Sequence, residues 1–333
     1  MKRCDICGTF NFKENNYCTH CGCYLVEENI CPYCGHKNPD SNNFCEECHN
    51  EIIPLAIDDF DNLFSESNLV LMLNAKISSR EYKDILEDIF KKLDYLKITE
   101  ITPKDKILHI ASQFTPTIPK SSGIAHGESA NIFILYDDRL EESLQIGAII
   151  HELAHFLLFQ LSVELLCRIL NVKASSALKA FVEFVLTLSD IKIMNEYYAH
   201  TVENRFIPLD YQNFSSFNHL CSYENNDIDP EQLNQFVIVG NSYAHDIIEN
   251  LERSIDNNLR ELILLQFRKD SPDVKRDFQQ FDQSALEDDE KNSIFMEWFV
   301  SYFYFLFNNE EAREELEYLK NKFEISVNLL LYP

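Results

Sequence analysis

The chain has 333 residues, 45% of them hydrophobic, and carries 55 acidic against 29 basic side chains, a formal charge of −26. So acidic a chain has no general attraction to a phosphate backbone, which disfavours nucleic acid as a partner. With only 7 Gly and 10 Pro, collagen-like and linker-rich classes are excluded, and long runs rich in Leu, Ile, Phe and Glu predict a mostly helical body.

Eight of the eleven cysteines lie before residue 49, as four C-x-x-C pairs: Cys4/Cys7, Cys18/Cys21, Cys31/Cys34 and Cys45/Cys48. Cys4 to Cys31 and Cys18 to Cys45 are both 27 residues apart, so the segment is an internal repeat. Asn11 with Asn38 and Tyr17 with Phe44 repeat at the same offset. Gly8, Gly22 and Gly35 follow three of the pairs, with His49 in the fourth place. Such a knuckle turns two thiolates toward one metal, and two knuckles complete a closed tetrahedral Cys4 site. Segments of this size bury too little apolar surface to fold alone, so zinc is expected to supply the folding free energy. The pattern resembles double zinc ribbons, which implies ribbons at residues 1–26 and 27–53 with one structural Zn2+ each. His20, His36 and His49 are expected to be non-ligands, and Cys23, Cys167 and Cys221 to be bystanders. Residues 1–50 carry four basic and seven acidic side chains, net −3, which favours a structural or protein-docking role over nucleic-acid binding.

Residues 54–333 are expected to form a predominantly helical domain. Tyr82, Ile85, Leu86, Ile89, Phe90 and Leu93 recur at helical spacing, predicting a helix over 81–96. Pro103, Pro116 and Pro119 suggest an irregular stretch, and residues 129–136 read as a short strand. A long helix is predicted from about Glu141, and a second helix ends before Pro208. The aromatic run 295–307 reads as a buried helix or an interface, and the acidic runs 287–290 and 310–315 as solvated helix ends. No basic, apolar leader opens the chain. Its longest apolar runs are interrupted by polar side chains or too short for a bilayer, so a cytoplasmic protein without membrane insertion is expected.

Inside the long helix lies His151-Glu152-Leu153-Ala154-His155. On an α-helix, positions i and i+4 differ by about 40°, so both imidazoles point the same way and can share a metal. Glu152 lies to one side, placed to take a proton from a metal-activated water and return it to a leaving amine. Zinc then needs a third protein ligand. Glu164 is too close in sequence to return from another helix, which leaves Glu183, Glu196 and Glu203.

HELAH followed by Asn195-Glu196-Tyr197-Tyr198-Ala199-His200 resembles the gluzincin pattern, H-E-x-x-H with a downstream N-E-x-x-[SA]-D. The stretch 196–208 also resembles the second helix of the ImmA/IrrE-type intracellular peptidases. The resemblance implies a zincin-like metallopeptidase domain with Glu196 as third ligand. His200 stands where the gluzincins carry Asp. It is a candidate oxyanion donor, partner to a ligand or replacement ligand, and Glu203 is a candidate for the displaced carboxylate role. Tyr197, Tyr198, His126 and His245 are further candidate donors to a transition state.

The leading expectation is therefore an intracellular zinc endopeptidase acting on a protein or peptide, with a regulatory protein as one candidate substrate, and with one catalytic and two structural zinc ions. The alternative is a non-enzymatic zinc-binding adaptor or sensor whose metal site is closed.

Overall fold

A computed structural model describes residues 57–91, 93, 102–120, 133–223, 228–278 and 285–331, and, nearer the N-terminus, 2–3, 10–11, 29–30, 36–38, 45–47 and 49. Contacts divide the chain into two units, Met1–Ala56 and Ile57–Pro333.

In the first unit, β1 (Lys2–Arg3) pairs antiparallel with β2 (Phe10–Asn11), and β3 (Asn29–Ile30) with β4 (Lys37–Asn38). The partners are Lys2↔Asn11 and Arg3↔Phe10, then Asn29↔Asn38 and Ile30↔Lys37, so the backbone register repeats at the offset of the cysteines. Each ladder brackets one C-x-x-C pair in sequence. Asn38 explains part of the repeat. Its Nδ2 donates to His36 O at 2.9 Å and to Cys45 Sγ at 3.6 Å, while its Oδ1 accepts from Glu46 N at 2.8 Å. One amide thus ties the end of β4 to the next knuckle. Cys4, Cys7, Cys18, Cys21, Cys31, Cys34 and Cys48, and with them the expected ribbon metal sites, lie outside the described residues.

The second unit is mostly helical. Its described elements are α1 (Phe60–Leu63), α2 (Glu66–Leu73), α3 (Ser79–Phe90), α4 (Pro103–Ser112), β5 (Thr117–Lys120), β6 (Ile134–Asp137), α5 (Glu142–Leu170), α6 (Ser176–Thr187), α7 (Lys192–Phe206), α8 (Ser215–Tyr223), α9 (Pro230–Leu251), α10 (Asn257–Asp270), α11 (Asp288–Phe307) and α12 (Arg313–Leu331).

Helix starts follow capping chemistry. Ser78 and Glu81 form a reciprocal capping box on α3, and the hydroxyl of Ser175 accepts from Leu178 N at the start of α6. The stretch expected to be irregular contains α4 and β5. Pro103 opens α4 behind the cap Thr102, because a first-turn proline lacks only an N–H that the helix does not use. The predicted helix 81–96 ends earlier, at Phe90, where Leu93 N closes a turn on Phe90 O at 3.1 Å. Of the predicted strand 129–136, residues 134–136 lie in β6, which pairs parallel with β5.

α5 is the axis of the unit. It is apolar on every side, as a helix surrounded by others must be, and packs against α3, α4, α6, α7, α9, α10 and β6. Its C-cap Asn171 takes the left-handed conformation that closes many helices. Among the described residues, α5 alone is long and apolar enough to cross a membrane, and most of its apolar window is buried inside the unit. α7 stops where Ile207 turns extended ahead of Pro208. In α11 the aromatic run packs inward through Phe295, Phe299 and Phe303, and Tyr304 and Phe305 remain exposed. Nearby, the buried Lys291 ammonium donates to Asp246 at 2.6 Å and Asp288 at 2.7 Å, over the Tyr82 ring.

Candidate metal centre

α5 and α7 lie antiparallel. His151 on α5 meets Glu203 near the end of α7, whereas His155, one turn later, meets Asn195 and Glu196 near its start. The i, i+4 spacing on α5 brings the two imidazoles together, with their Nε2 atoms 3.1 Å apart. The Glu196 carboxylate closes the triangle. Its Oε2 is 3.6 Å from His151 Nε2 and its Oε1 is 3.6 Å from His155 Nε2. Ligands at ordinary distances from a tetrahedral zinc stand about 3.3 Å apart, close to the spacing of these three donors.

The far side of each ring is held. His155 Nδ1 lies 2.8 Å from Asn195 Oδ1, and the Asn195 amide is oriented in turn by its Nδ2 donating to Leu186 O at 3.1 Å. An amide oxygen only accepts, so His155 Nδ1 carries a proton, and Nε2 is the nitrogen turned toward Glu196. His151 Nδ1 lies 3.1 Å from Glu203 Oε2, the carboxylate–imidazole pairing that orients metal-binding histidines.

His200 is 4% exposed. Its Nδ1 faces Glu203 Oε2 at 3.2 Å and its Nε2 faces Ser216 Oγ at 2.7 Å. Ser216, on α8, donates to Glu196 Oε2 at 2.5 Å. Ser216, His200 and Glu203 thus have the connectivity of a hydrolase triad, but the serine gives its proton to Glu196, the reverse of nucleophile activation. A nitrogen of His200 also lies within 4.8 Å of ligand atoms on both His151 and Glu196.

The electrostatics favour a cation. Burial opposes protonation of His151, yet its hydrogen bonds to Glu196 and Glu203 outweigh that and push it up to about 10. Burial likewise works against ionising Glu196, but His155, His151 and Ser216 hold its carboxyl well below the usual range. Glu203 is held low against burial by His151 and His200. Positive charge is therefore drawn to the point where the three donors converge.

A cleft of about 390 Å³ opens beside the donors, lined among others by Glu152, His155, Asn195, Glu196, Lys192 and Tyr318. Glu152 thus faces open space next to the triangle. Glu183, one of the alternative ligands, is 2% exposed on α6 and lines the same cleft. Glu164 accepts from Gln160 on its own helix. Of the candidate donors, Tyr197 packs on Phe214 and Phe217, Tyr198 is fully buried, His245 sits on α9, and His126 lies outside the described residues. Sequence reasoning assigned no role to Asn195, although it directly precedes Glu196 in the quoted motif, and it missed Ser216, which carries no motif.

Comparison with known proteins finds no matching family model, no matching curated protein and no matching solved structure.

Proposed function

We propose that the chain is a zinc-dependent endopeptidase whose metal is held by His151, His155 and Glu196. The observation that carries this reading is the convergence of two Nε2 atoms and one carboxylate, at 3.1, 3.6 and 3.6 Å, beside a cleft that Glu152 lines. Bound there, zinc would polarise the scissile carbonyl and acidify the attacking water. Glu152 takes the proton of that water on its carboxylate and delivers it to the leaving amine. Glu203 and Asn195 hold the two imidazoles in the tautomer that presents Nε2. His200, buried between Glu203 and Ser216, acts in this reading by positioning Glu196 rather than by touching substrate. In the N-terminal unit, the eight paired cysteines hold two structural zinc ions. A thiolate-rich repeat suits a reducing compartment, so the enzyme is assigned to the cytoplasm, with a protein or peptide substrate.

One observation favours a second reading. His200 lies within reach of His151 and Glu196, and turned off Ser216 it becomes a fourth protein ligand. The site is then closed, and the chain is a zinc-binding sensor or adaptor. Glu152→Gln separates the two. In the enzyme reading, this variant keeps its metal and loses cleavage of a peptide library followed by mass spectrometry. Undiminished cleavage by the variant contradicts the base assignment. A wild-type chain that holds metal and cleaves nothing favours the closed site.

A further inference from the structure

The described helices of the second unit contain two glycines, Gly147 in α5 and Gly240 in α9, and both face α7. Glycine is the poorest helix former short of proline, because it gives up the most backbone freedom. A buried glycine inside the central helix therefore needs a reason in its surroundings. Gly147 stands four residues before His151, one turn earlier on the same face. A β-carbon at this position would lie 3.1 Å from Glu203 Oε1, tighter than ordinary contact, and 3.8 Å from Ile207 Cγ2, which is ordinary contact. The first atom it meets belongs to the carboxylate whose other oxygen faces His151 Nδ1 at 3.1 Å and His200 Nδ1 at 3.2 Å.

We propose that Gly147 is a positioning residue of the metal centre: its bare α-carbon forms the hollow that seats the Glu203 carboxylate against His151. The inference rests on the metal-centre reading above and adds to it the feature of α5 that lets α7 deliver its carboxylate. A β-carbon here displaces Oε1 by a few tenths of an ångström. A carboxylate at the end of a rotatable side chain yields to that push, so the helices stay packed. What is lost is the alignment of Oε2 with His151 Nδ1, and with it the fixed orientation of that ring. The effect therefore falls on metal affinity and runs through Glu203.

A double-mutant cycle on the full chain tests this. Wild type, Gly147→Ala, Glu203→Ala and the double variant are stripped at the histidine site with a weak chelator and titrated with Zn2+ against a chromogenic competitor. Gly147→Ala is expected to weaken Zn2+ binding about tenfold, within the range for residues that orient metal ligands. Glu203→Ala is expected to weaken it at least as much, and the double variant no further than Glu203→Ala alone, because the hollow is then empty. Wild-type affinity in Gly147→Ala overturns the proposal, as do losses that multiply in the double variant. If Gly147→Ala does not fold, the double variant decides. A folded chain that binds like Glu203→Ala supports the proposal, and one that stays unfolded overturns it. A wild-type chain that takes up no Zn2+ at the site removed by His151→Ala/His155→Ala overturns the metal-centre reading itself, and this inference with it.

Discussion

Glu203 orients two rings with one atom: its Oε2 lies 3.1 Å from His151 Nδ1 and 3.2 Å from His200 Nδ1. His200 stands four residues after Glu196 and Glu203 seven, about a turn further along the same helical face, so the buried His200 imidazole lies behind an acid that also faces His151. A second residue-scale feature lies in the N-terminal unit. His49 adopts φ 60, and its N–H closes on Cys45 O at 2.9 Å. Its counterpart in the repeat, 27 residues earlier, is Gly22, the residue type that holds this left-handed conformation without strain. His49→Gly is therefore expected to stabilise the N-terminal unit by about 1 kcal/mol, and His49→Val to destabilise it by at least as much. Chemical denaturation of the two variants beside wild type checks this, and an unchanged midpoint in both contradicts it.

α7 brings Asn195, Glu196, His200 and Glu203 to the site, and it is wedged between α5 and α9. Gly240 of α9 makes the second close approach, because a β-carbon there would lie 3.2 Å from both Met194 O and Tyr197 Cδ1. Helix propensity alone predicts that Gly240→Ala stabilises by about 1 kcal/mol. The obstacle is a backbone carbonyl, which cannot step aside as a side chain can, so the substitution is instead expected to destabilise by about 1–3 kcal/mol. A higher melting temperature for Gly240→Ala contradicts that packing argument. The same helices show what sequence made legible. HELAH and NEYYAH were readable because a 3.6-residue period puts fixed positions on one face, and the end of α7 was readable because proline forbids continuation. α4 is not legible because Pro103 reads as one of three prolines in an irregular stretch, where in the fold it opens a helix. Ser216 and the hollow at Gly147 were illegible because they depend on which helices meet, and no local pattern records that.

For the whole molecule, an apolar α5 enclosed by other helices makes its histidine-bearing face part of the core, so both histidines are held by packing as well as by hydrogen bonds. At the site Glu152, Glu196 and Glu203 stand close to His151, His155 and His200, and against the effect of burial the hydrogen bonds of Glu196 and Glu203 push His151 up to about 10. Lys291 shows how the same fold treats a buried charge elsewhere, between two carboxylates at 2.6 and 2.7 Å. At the histidine triangle the Glu196 carboxylate faces two imidazoles instead, 3.6 Å from each. The central claim is that a metal ion is held between them. Elemental analysis of the purified full chain, beside its His151→Ala/His155→Ala variant, tests this most directly. Two ribbon ions and one at the helices give three zinc ions per chain in the wild type, falling to two in the variant. Equal metal content in the two proteins would contradict the claim and leave the α5–α7 site a hydrogen-bonded core.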